Sequence, residues 1–280
     1  MLNPSIFYKH GKNHLLSGEL YAGLRYYAKG LQTSHSEQEI HEELKSINDT
    51  KNLGQSKGFE WVQRLLMIGL AVKFGTTNDG KVALEEIKKL TSHYKLFTEP
   101  IVIVAGGCSS EVEAKIQTYK RLILDVFSDF KGTIISGGTT SGISGLIGEV
   151  QQEHPNLIRT VGYVPKTKID FIDDRYQEIR FTDAESFSFL EPLQYWIDIT
   201  GSGIRASDVK LLGINGGILS AIEYRMAIAL GARTGIIEDS GMEADKLLLD
   251  KDWNTQPKLF SLPNDCNAVR SFLLERATDA

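Results

Sequence analysis

The chain has 280 residues, of which 41% are hydrophobic and 24% charged, and its formal net charge is −5. These values are typical of a globular protein and allow one large domain or two modest ones. No apolar run approaches the ~20 residues that a membrane span needs, and the N-terminal residues have no secretory signal pattern. Two cysteines, Cys108 and Cys266, do not make a disulfide framework, so we expect a reducing, cytoplasmic setting.

The charge is unevenly distributed along the chain. Residues 1–100 contain 13 Lys/Arg and 11 Asp/Glu, whereas residues 101–280 contain 18 and 25. An acidic C-terminal part argues against tracking of a nucleic-acid backbone, so nucleic acid is not the expected partner. A small anionic ligand needs only a local pocket and is compatible with this charge.

The first 98 residues are predicted to form an all-helical region. Ser36 and Glu39 have the spacing of a capping box, and Ile40 and Ile47 follow at helical spacing. We expect this region to couple the protein to a homo-oligomer or to an effector partner. Further helices are predicted over residues 18–32, 60–74 and 82–97.

The pattern changes after Pro100, where "IVIVAGG" forms a continuous β-branched run. Such a run is typical of a strand buried on both faces of a parallel sheet. Strand and helix patterns then alternate, so residues 99–280 are predicted to form a Rossmann-like, doubly wound α/β domain with a mainly parallel sheet. Strands are predicted over residues 101–107, 132–136, 157–164, 176–181, 210–215 and 233–238, and helices over 111–130, 141–154, 187–200, 219–232 and 264–277.

Three of these strands end in residues suited to a ligand, and ligands of open parallel sheets bind at the carboxyl ends of strands. Gly106, Gly107, Cys108 and Ser109 follow the first strand and precede a helix, whose first amides and dipole favour an anion. A plain strand-to-helix turn capped by Ser110 explains the same residues equally well.

The second strand is followed by a segment that we predict to cradle a phosphate. Three further glycines, Gly142, Gly145 and Gly148, come at steps of three, and each costs a helix interior up to ~1 kcal/mol. We expect Gly145 and Gly148 to allow close packing of the helix on the sheet. No Gly-Lys-Ser/Thr sequence is present, so the segment is not a Walker A loop. The predicted cradle consists of Gly137, Gly138, Thr139, Thr140 and Ser141.

The strand over residues 210–215 leads into Asn215, Gly216 and Gly217, with Glu223 about one turn into the next helix. A carboxylate there either compensates the helix dipole, or holds a ribose hydroxyl or acts on a glycosidic bond. Arg205, in the preceding "TGSGIR" loop, is a candidate to pair with a diphosphate.

A cluster of aromatic residues lies in the predicted helix over residues 187–200. We interpret it as core, not as a surface for stacking a base. Its members are Phe187, Phe189, Tyr195 and Trp196.

Two segments together resemble the SLOG superfamily, which includes the lonely-guy phosphoribohydrolases, the Smf/DprA proteins and the N-terminal region of melastatin-type TRP channels. "GGTTSGISGLIGE" is similar to the GGGxxGxMG-like segment of the hydrolases, and "NGGILSAIE" is similar to their PGGxGTxxE segment. The resemblance covers roughly residues 99–262 and is closest to LSDAT proteins, the prokaryotic relatives of the TRP-channel region. It implies a Rossmann-like fold that recognises an NAD- or ADP-ribose-related nucleotide, in prokaryotes within conflict systems such as phage defence.

The chain departs from the hydrolase pattern in the second segment. Asn215 stands in place of the proline, and Leu219-Ser220 replaces the Gly-Thr pair, although Glu223 is retained. The Arg-Lys pair that precedes this segment in the hydrolases is also missing at the comparable distance. The resemblance therefore implies a protein that binds a nucleotide without cutting it.

Two other functions are kept as alternatives. The first is a phosphoribohydrolase that cleaves the N-glycosidic bond of a nucleoside monophosphate with Glu223. The second is single-stranded DNA binding, which the acidic charge disfavours. His10 and His14 are four residues apart, but no cysteine or carboxylate cluster joins them, so no metal site is expected, and no cofactor other than the nucleotide.

Overall fold

The computed structural model describes residues 3–51, 57–91, 93–108 and 111–275. Within these ranges, helices α1–α5 precede a seven-stranded, all-parallel sheet with strand order β4-β3-β2-β1-β5-β6-β7. The strands are β1 (Ile101–Gly106), β2 (Gly132–Ser136), β3 (Ile158–Pro165), β4 (Glu178–Thr182), β5 (Val209–Ile214), β6 (Arg233–Ile237) and β7 (Leu259–Leu262). The predicted Rossmann-like α/β fold is confirmed.

Helices cover both faces of this sheet. The first five are α1 (Pro4–Leu16), α2 (Leu20–Thr33), α3 (Glu37–Lys51), α4 (Lys57–Phe74) and α5 (Asn78–Leu90). The others are α6 (Glu113–Gln117), α7 (Lys120–Phe127), α8 (Gly142–Glu153), α9 (Leu190–Gly201), α10 (Ile218–Leu230), α11 (Met242–Leu249) and α12 (Cys266–Leu274).

Alternating side chains of the central strand divide the core into two layers. Ile101 and Ile103 of β1 are buried on the face covered by α9, α10 and α11. Val102 and Val104 are buried on the opposite face, which α7, α8 and α12 cover. Because each side of β1 meets a helix layer, its sequence is apolar throughout and does not alternate.

The N-terminal helices do not form a separate core. They pack against the first of these layers, α2 on α10, and α4 and α5 on α9, and their apolar residues are continuous with it. The capping box at the start of α3 is present, since Ser36 N–H donates to Glu39 Oε2 (3.1 Å) and Glu39 N–H to Ser36 Oγ (3.4 Å). No helix in the described ranges combines the length and apolar character needed to cross a bilayer.

Several elements differ from the predicted ones. Two elements that the sequence patterns did not indicate, α11 and β7, complete the last crossover and the sheet edge. The helix predicted over residues 111–130 is divided between α6 and α7, because Thr118 and Tyr119 N–H groups bond three residues back and Thr118 Oγ1 donates to Lys115 O (2.6 Å). Helix α5 ends at Leu90, seven residues early, where Thr91 takes up extended backbone.

A buried ion pair within the α/β domain is linked to the N-terminal helices by an exposed arginine. Asp250 accepts from Arg225 of α10 (2.8 Å) and Arg25 of α2 (2.7 Å), and the Arg225 side chain is only 1% exposed. Replacing Asp250 with asparagine leaves that guanidinium without a counter-charge. We expect Asp250→Asn to lower the free energy of unfolding by about 3 kcal/mol in urea denaturation.

The exposed pair of Glu85 with Lys88 supplies the control for this substitution. Because solvent screens it, Glu85→Gln should change the free energy of unfolding by less than about 1 kcal/mol. Equal effects of the two substitutions would show that the buried pair contributes no more to stability than an exposed one.

Candidate functional site

The sheet reverses its order at β1, which lies between β2 and β5. Open α/β sheets bind ligands at such a switch point, outside the carboxyl ends of the strands. A cavity of about 150 Å³ lies there, and five of the predicted site residues line it. They are Gly106, Cys108, Gly137, Thr139 and Glu223.

Glu223 on α10 is the acidic group of this cavity that the sequence singled out. Its Oε1 accepts a hydrogen bond from the Tyr195 hydroxyl of α9 (2.8 Å). Burial raises the pKa of Glu223 to about 7, and the bond from Tyr195 offsets only part of that rise. The carboxyl group therefore titrates near neutral pH. A residue that only compensated the helix dipole would stay ionised at this pH, so this role alone does not account for Glu223.

Cys108 lies at the exposed rim of the cavity. Partial burial of the sulfur, with Glu113 and Glu223 nearby, raises the pKa of its thiol. A raised pKa lowers the thiolate fraction, so this geometry disfavours Cys108 as a nucleophile.

The side chain of Asn215 holds the turn after β5. Its Nδ2 donates to Ser240 O (2.8 Å), and its Oδ1 accepts from Gly216 N–H (2.8 Å). Asn215 and Gly216 have positive φ angles of 61° and 96°, so this side-chain amide supports a backbone that few residues adopt. Asn215, Gly216 and the adjoining Gly217 thus shape the edge of the site without lining the cavity.

The predicted phosphate cradle lies at the carboxyl edge of the sheet, but two of its amides have internal partners. Thr139 N–H donates to Ser144 Oγ (2.8 Å) and Thr140 N–H to Phe171 O (3.3 Å). At the start of α8, Gly142 N–H donates to Glu113 Oε2 (2.9 Å). A carboxylate of the chain itself therefore occupies the position where the helix favours an anion.

Gly142 cannot be replaced easily at this junction. Its φ angle is +62°, and a Cβ atom there would lie 2.2 Å from Gly107 O. Gly138, with a φ of +70°, and Ser141, whose hydroxyl donates to Cys108 O (3.5 Å), complete the connection between β2 and α8. This packing joins the first two glycine-rich turns into one surface.

The expectation that Gly145 and Gly148 press α8 against the sheet is wrong. A Cβ atom at Gly148 would lie 2.2 Å from Asp173 Oδ2, in the connection between β3 and β4. A Cβ atom at Gly145 would lie 2.3 Å from Thr140 O, in the turn that precedes α8. The glycines therefore make room for two loops.

One predicted residue, Arg205, lies at the other edge of the sheet. Arg205 precedes β5, at the amino edge of the sheet and opposite to the cavity, where it pairs with Asp208 (2.7 Å). Ser109 and its neighbour Ser110 lie outside the described residues.

Helix α9 and the loop before it supply side chains that the sequence analysis did not assign to the site. Glu191 and Tyr195, one turn apart, line the cavity together with Phe187. The interpretation of the aromatic cluster as core holds for Phe189 and Trp196, which are both fully buried. The spacing of Glu191 and Tyr195 on one helix face was the available signal, but it could not show which face meets the strand ends.

A larger cleft of about 570 Å³ lies at the amino edge, beside β1, β5 and the end of α12. The ammonium group of Lys210 donates there to the carbonyl oxygens of Leu273 and Glu275. Since that lysine caps a helix end, and since ligands of this fold bind at the opposite edge, we assign the candidate site to the smaller cavity.

No protein-family model matches the chain, and no curated protein matches it either. Among solved structures, the structural-genomics target TM1055 is 14% identical, with 62% of this chain and 98% of that chain covered and a TM-score of 0.48. Two structures of the molybdenum cofactor carrier protein from Chlamydomonas reinhardtii are 15% and 14% identical, with TM-scores of 0.47 and 0.46. Each covers 63% of this chain and 96% of its own. Because the identities are 14–15% and the TM-scores lie below 0.5, these similarities do not indicate a function.

The raised pKa of Glu223 makes a prediction about stability. Since the native state holds this proton up to about pH 7 and the unfolded chain up to about 4.5, stability is lost as the pH rises between these values. One pKa unit corresponds to about 1.4 kcal/mol, so Glu223→Gln should raise the free energy of unfolding at pH 8 by up to about 3 kcal/mol relative to its effect at pH 4.5.

Urea denaturation at both pH values measures this difference, with Glu111→Gln, at an exposed carboxyl group, as the control. The same effect of Glu223→Gln at pH 4.5 and pH 8 would contradict a raised pKa.

Proposed function

We propose that the chain is a SLOG-type nucleotide-binding protein that recognises a small, NAD- or ADP-ribose-related nucleotide at the carboxyl edge of its sheet. The observation that supports this most is the meeting of three elements at the switch point. The turn after β1, the turn after β2 and Glu223 of α10 all border one cavity. Glycine turns there let a ligand approach the backbone, and a carboxylate can accept hydrogen bonds from ribose hydroxyls.

The size of the cavity limits which part of a nucleotide enters it. A cavity of about 150 Å³ is large enough for one benzene-sized ring, whereas drug-sized ligands fill about 300–1,000 Å³. We therefore infer that one ring or ribose enters, and that the remaining groups lie across the strand ends. A phosphate that reaches the start of α8 must displace the Glu113 carboxylate from Gly142 N–H.

The presence of Leu219 in the cavity favours binding of the nucleotide without cleavage of its glycosidic bond. Leu219 lines the cavity at the position where the hydrolase pattern has a glycine, so it narrows the space beside Glu223. The N-terminal helices pack on α9 and α10, which carry Tyr195 and Glu223. A ligand that shifts either helix would act directly on the helical region, which we propose as the part that contacts an effector or a second copy.

A thermal-shift screen with AMP, nicotinamide mononucleotide, ADP-ribose and NAD tests the proposed function. A ligand at 100 times its Kd adds about 2.7 kcal/mol of stability, and we expect at least one of the four to raise the Tm accordingly. Glu223→Gln should reduce the shift and Glu111→Gln should retain it. No shift with any of the four at millimolar concentration would refute the proposal.

A second candidate function is cleavage of the N-glycosidic bond of a nucleoside monophosphate. The pKa of Glu223, near 7, favours it, because a carboxyl group of such pKa can donate or accept a proton at neutral pH. The purified protein would be incubated with nucleoside monophosphates and assayed for free base and ribose phosphate. Turnover that is lost in Glu223→Gln would replace the sensor assignment with an enzymatic one.

A further inference from the structure

The cavity is acidic, although a nucleotide phosphate is an anion. Two carboxyl groups, those of Glu191 and Glu223, line it, and no Lys, Arg or His is among its described lining residues. Glu191 is buried and accepts from Ser188 N–H (2.7 Å) and from the hydroxyls of Ser188 (3.2 Å) and Thr182. Burial raises the pKa of both carboxyl groups, that of Glu223 to about 7, so above that pH the ionised Glu223 disfavours a phosphate in the interior of the cavity.

Three aromatic side chains also line the cavity. Tyr163 and Tyr195 meet edge to face with ring centroids 5.9 Å apart, and Phe187 lies at the rim. The Tyr163 hydroxyl donates to Asp198 (2.6 Å) and the Tyr195 hydroxyl to Glu223 (2.8 Å). Both hydroxyls therefore already have partners within the protein, and the aromatic side chains add ring surface to the lining of the cavity.

Carboxylates combined with aromatic rings attract cations, and the attraction grows when the cation is desolvated. The volume of the cavity suits a single six-membered ring. We propose that the cavity admits a flat, positively charged ring of the pyridinium class and discriminates against the same ring in an uncharged form. This rests on the proposed function, since it names the part of the nucleotide that enters the cavity.

The geometry also indicates where the ring and the phosphate of such a ligand lie. The ring lies beside Glu223 and the aromatic side chains that line the cavity, and the phosphate stays outside, towards the start of α8, where an anion is favoured. Glu113 now fills that outer position through Gly142 N–H. The cavity and the outer position thus differ in sign, and a cationic ring joined to an anionic phosphate matches both.

The test compares oxidised with reduced nicotinamide mononucleotide, which differ mainly in the ring charge. Titration calorimetry at pH 8, above the pKa of Glu223 of about 7, keeps this carboxylate ionised. We expect the oxidised form to bind about tenfold more tightly. Glu223→Gln should bring the two affinities close together, whereas Glu111→Gln should preserve the difference.

A second variant avoids any change in the buried carboxyl group. Phe187 is 36% exposed at the rim, so Phe187→Leu is expected to fold normally, and it removes one aromatic face. We expect it to reduce the preference for the oxidised ring, with melting temperatures and circular dichroism confirming that both variants are folded.

Equal affinity for the two forms in the wild-type protein would overturn the inference and leave the proposed function standing. Binding of AMP or ADP-ribose without binding of oxidised nicotinamide mononucleotide would have the same meaning. Failure of all these nucleotides to bind would overturn the inference and the proposed function together.

Discussion

The parallel pairing of β1 with β5 is the constraint on which the site depends. It runs from Ile101 opposite Val209 to Gly106 opposite Ile214, so both strands end at the same level. β2 ends on the other side of β1, and the turns after the three strands therefore meet although more than 70 residues separate the second from the third. Because parallel strands need crossover connections, the same pairing places α8 and α10 with their first turns at this edge. Glycines alone would not have produced a site, since the pairing decides which glycine-rich turns are neighbours.

The N-terminal helices pack against the two helices, α9 and α10, that carry side chains of the site. They bury apolar side chains against α9 and α10, and the hydrogen bond from Tyr195 to Glu223 crosses between these two helices at the cavity. Arg225 lies on the same helix as Glu223, and its buried guanidinium forms an ion pair with Asp250. Asp250 also forms an ion pair with Arg25 of α2. The N-terminal boundary predicted at residue 98 thus separates two kinds of sequence pattern, while the packing across it is continuous. We infer that residues 1–98 help to hold α9 and α10 in register, in addition to any role in contacting a partner.

The sequence predicted those features whose cause is local. A continuous β-branched run identified β1, and Gly137 and Glu223 were assigned to a shared edge because the carboxyl ends of parallel strands coincide. Features that depend on distant parts of the chain were not predicted. Gly148 was assigned to packing on the sheet, whereas its close neighbour is Asp173 of a loop. The assignment of Arg205 to the site was avoidable, because it precedes the predicted strand over residues 210–215 and so belongs at the amino edge of the sheet. Tyr195 was read as core, and it is buried, but its hydroxyl group reaches the cavity.

The site has two parts, the cavity for the ring and the position for the phosphate at the start of α8. The first is open to a ligand, whereas the second is occupied by a side chain of the protein. The cavity has its lining and its carboxylate in place, with Tyr195 fixing the orientation of Glu223. The position for the phosphate is filled by Glu113, which the Gln117 side chain also contacts (2.8 Å), on a helix of only five residues. A carboxylate at a helix N-terminus contributes about 0.3–1 kcal/mol when exposed and up to about 2 kcal/mol when partly buried, as Glu113 is, so a phosphate of greater charge can compete for this position. Displacement would break the hydrogen bond that links α6 to the start of α8, and these two helices pack against each other. Binding of the ring therefore requires little rearrangement, whereas binding of the phosphate would alter the contact between α6 and α8.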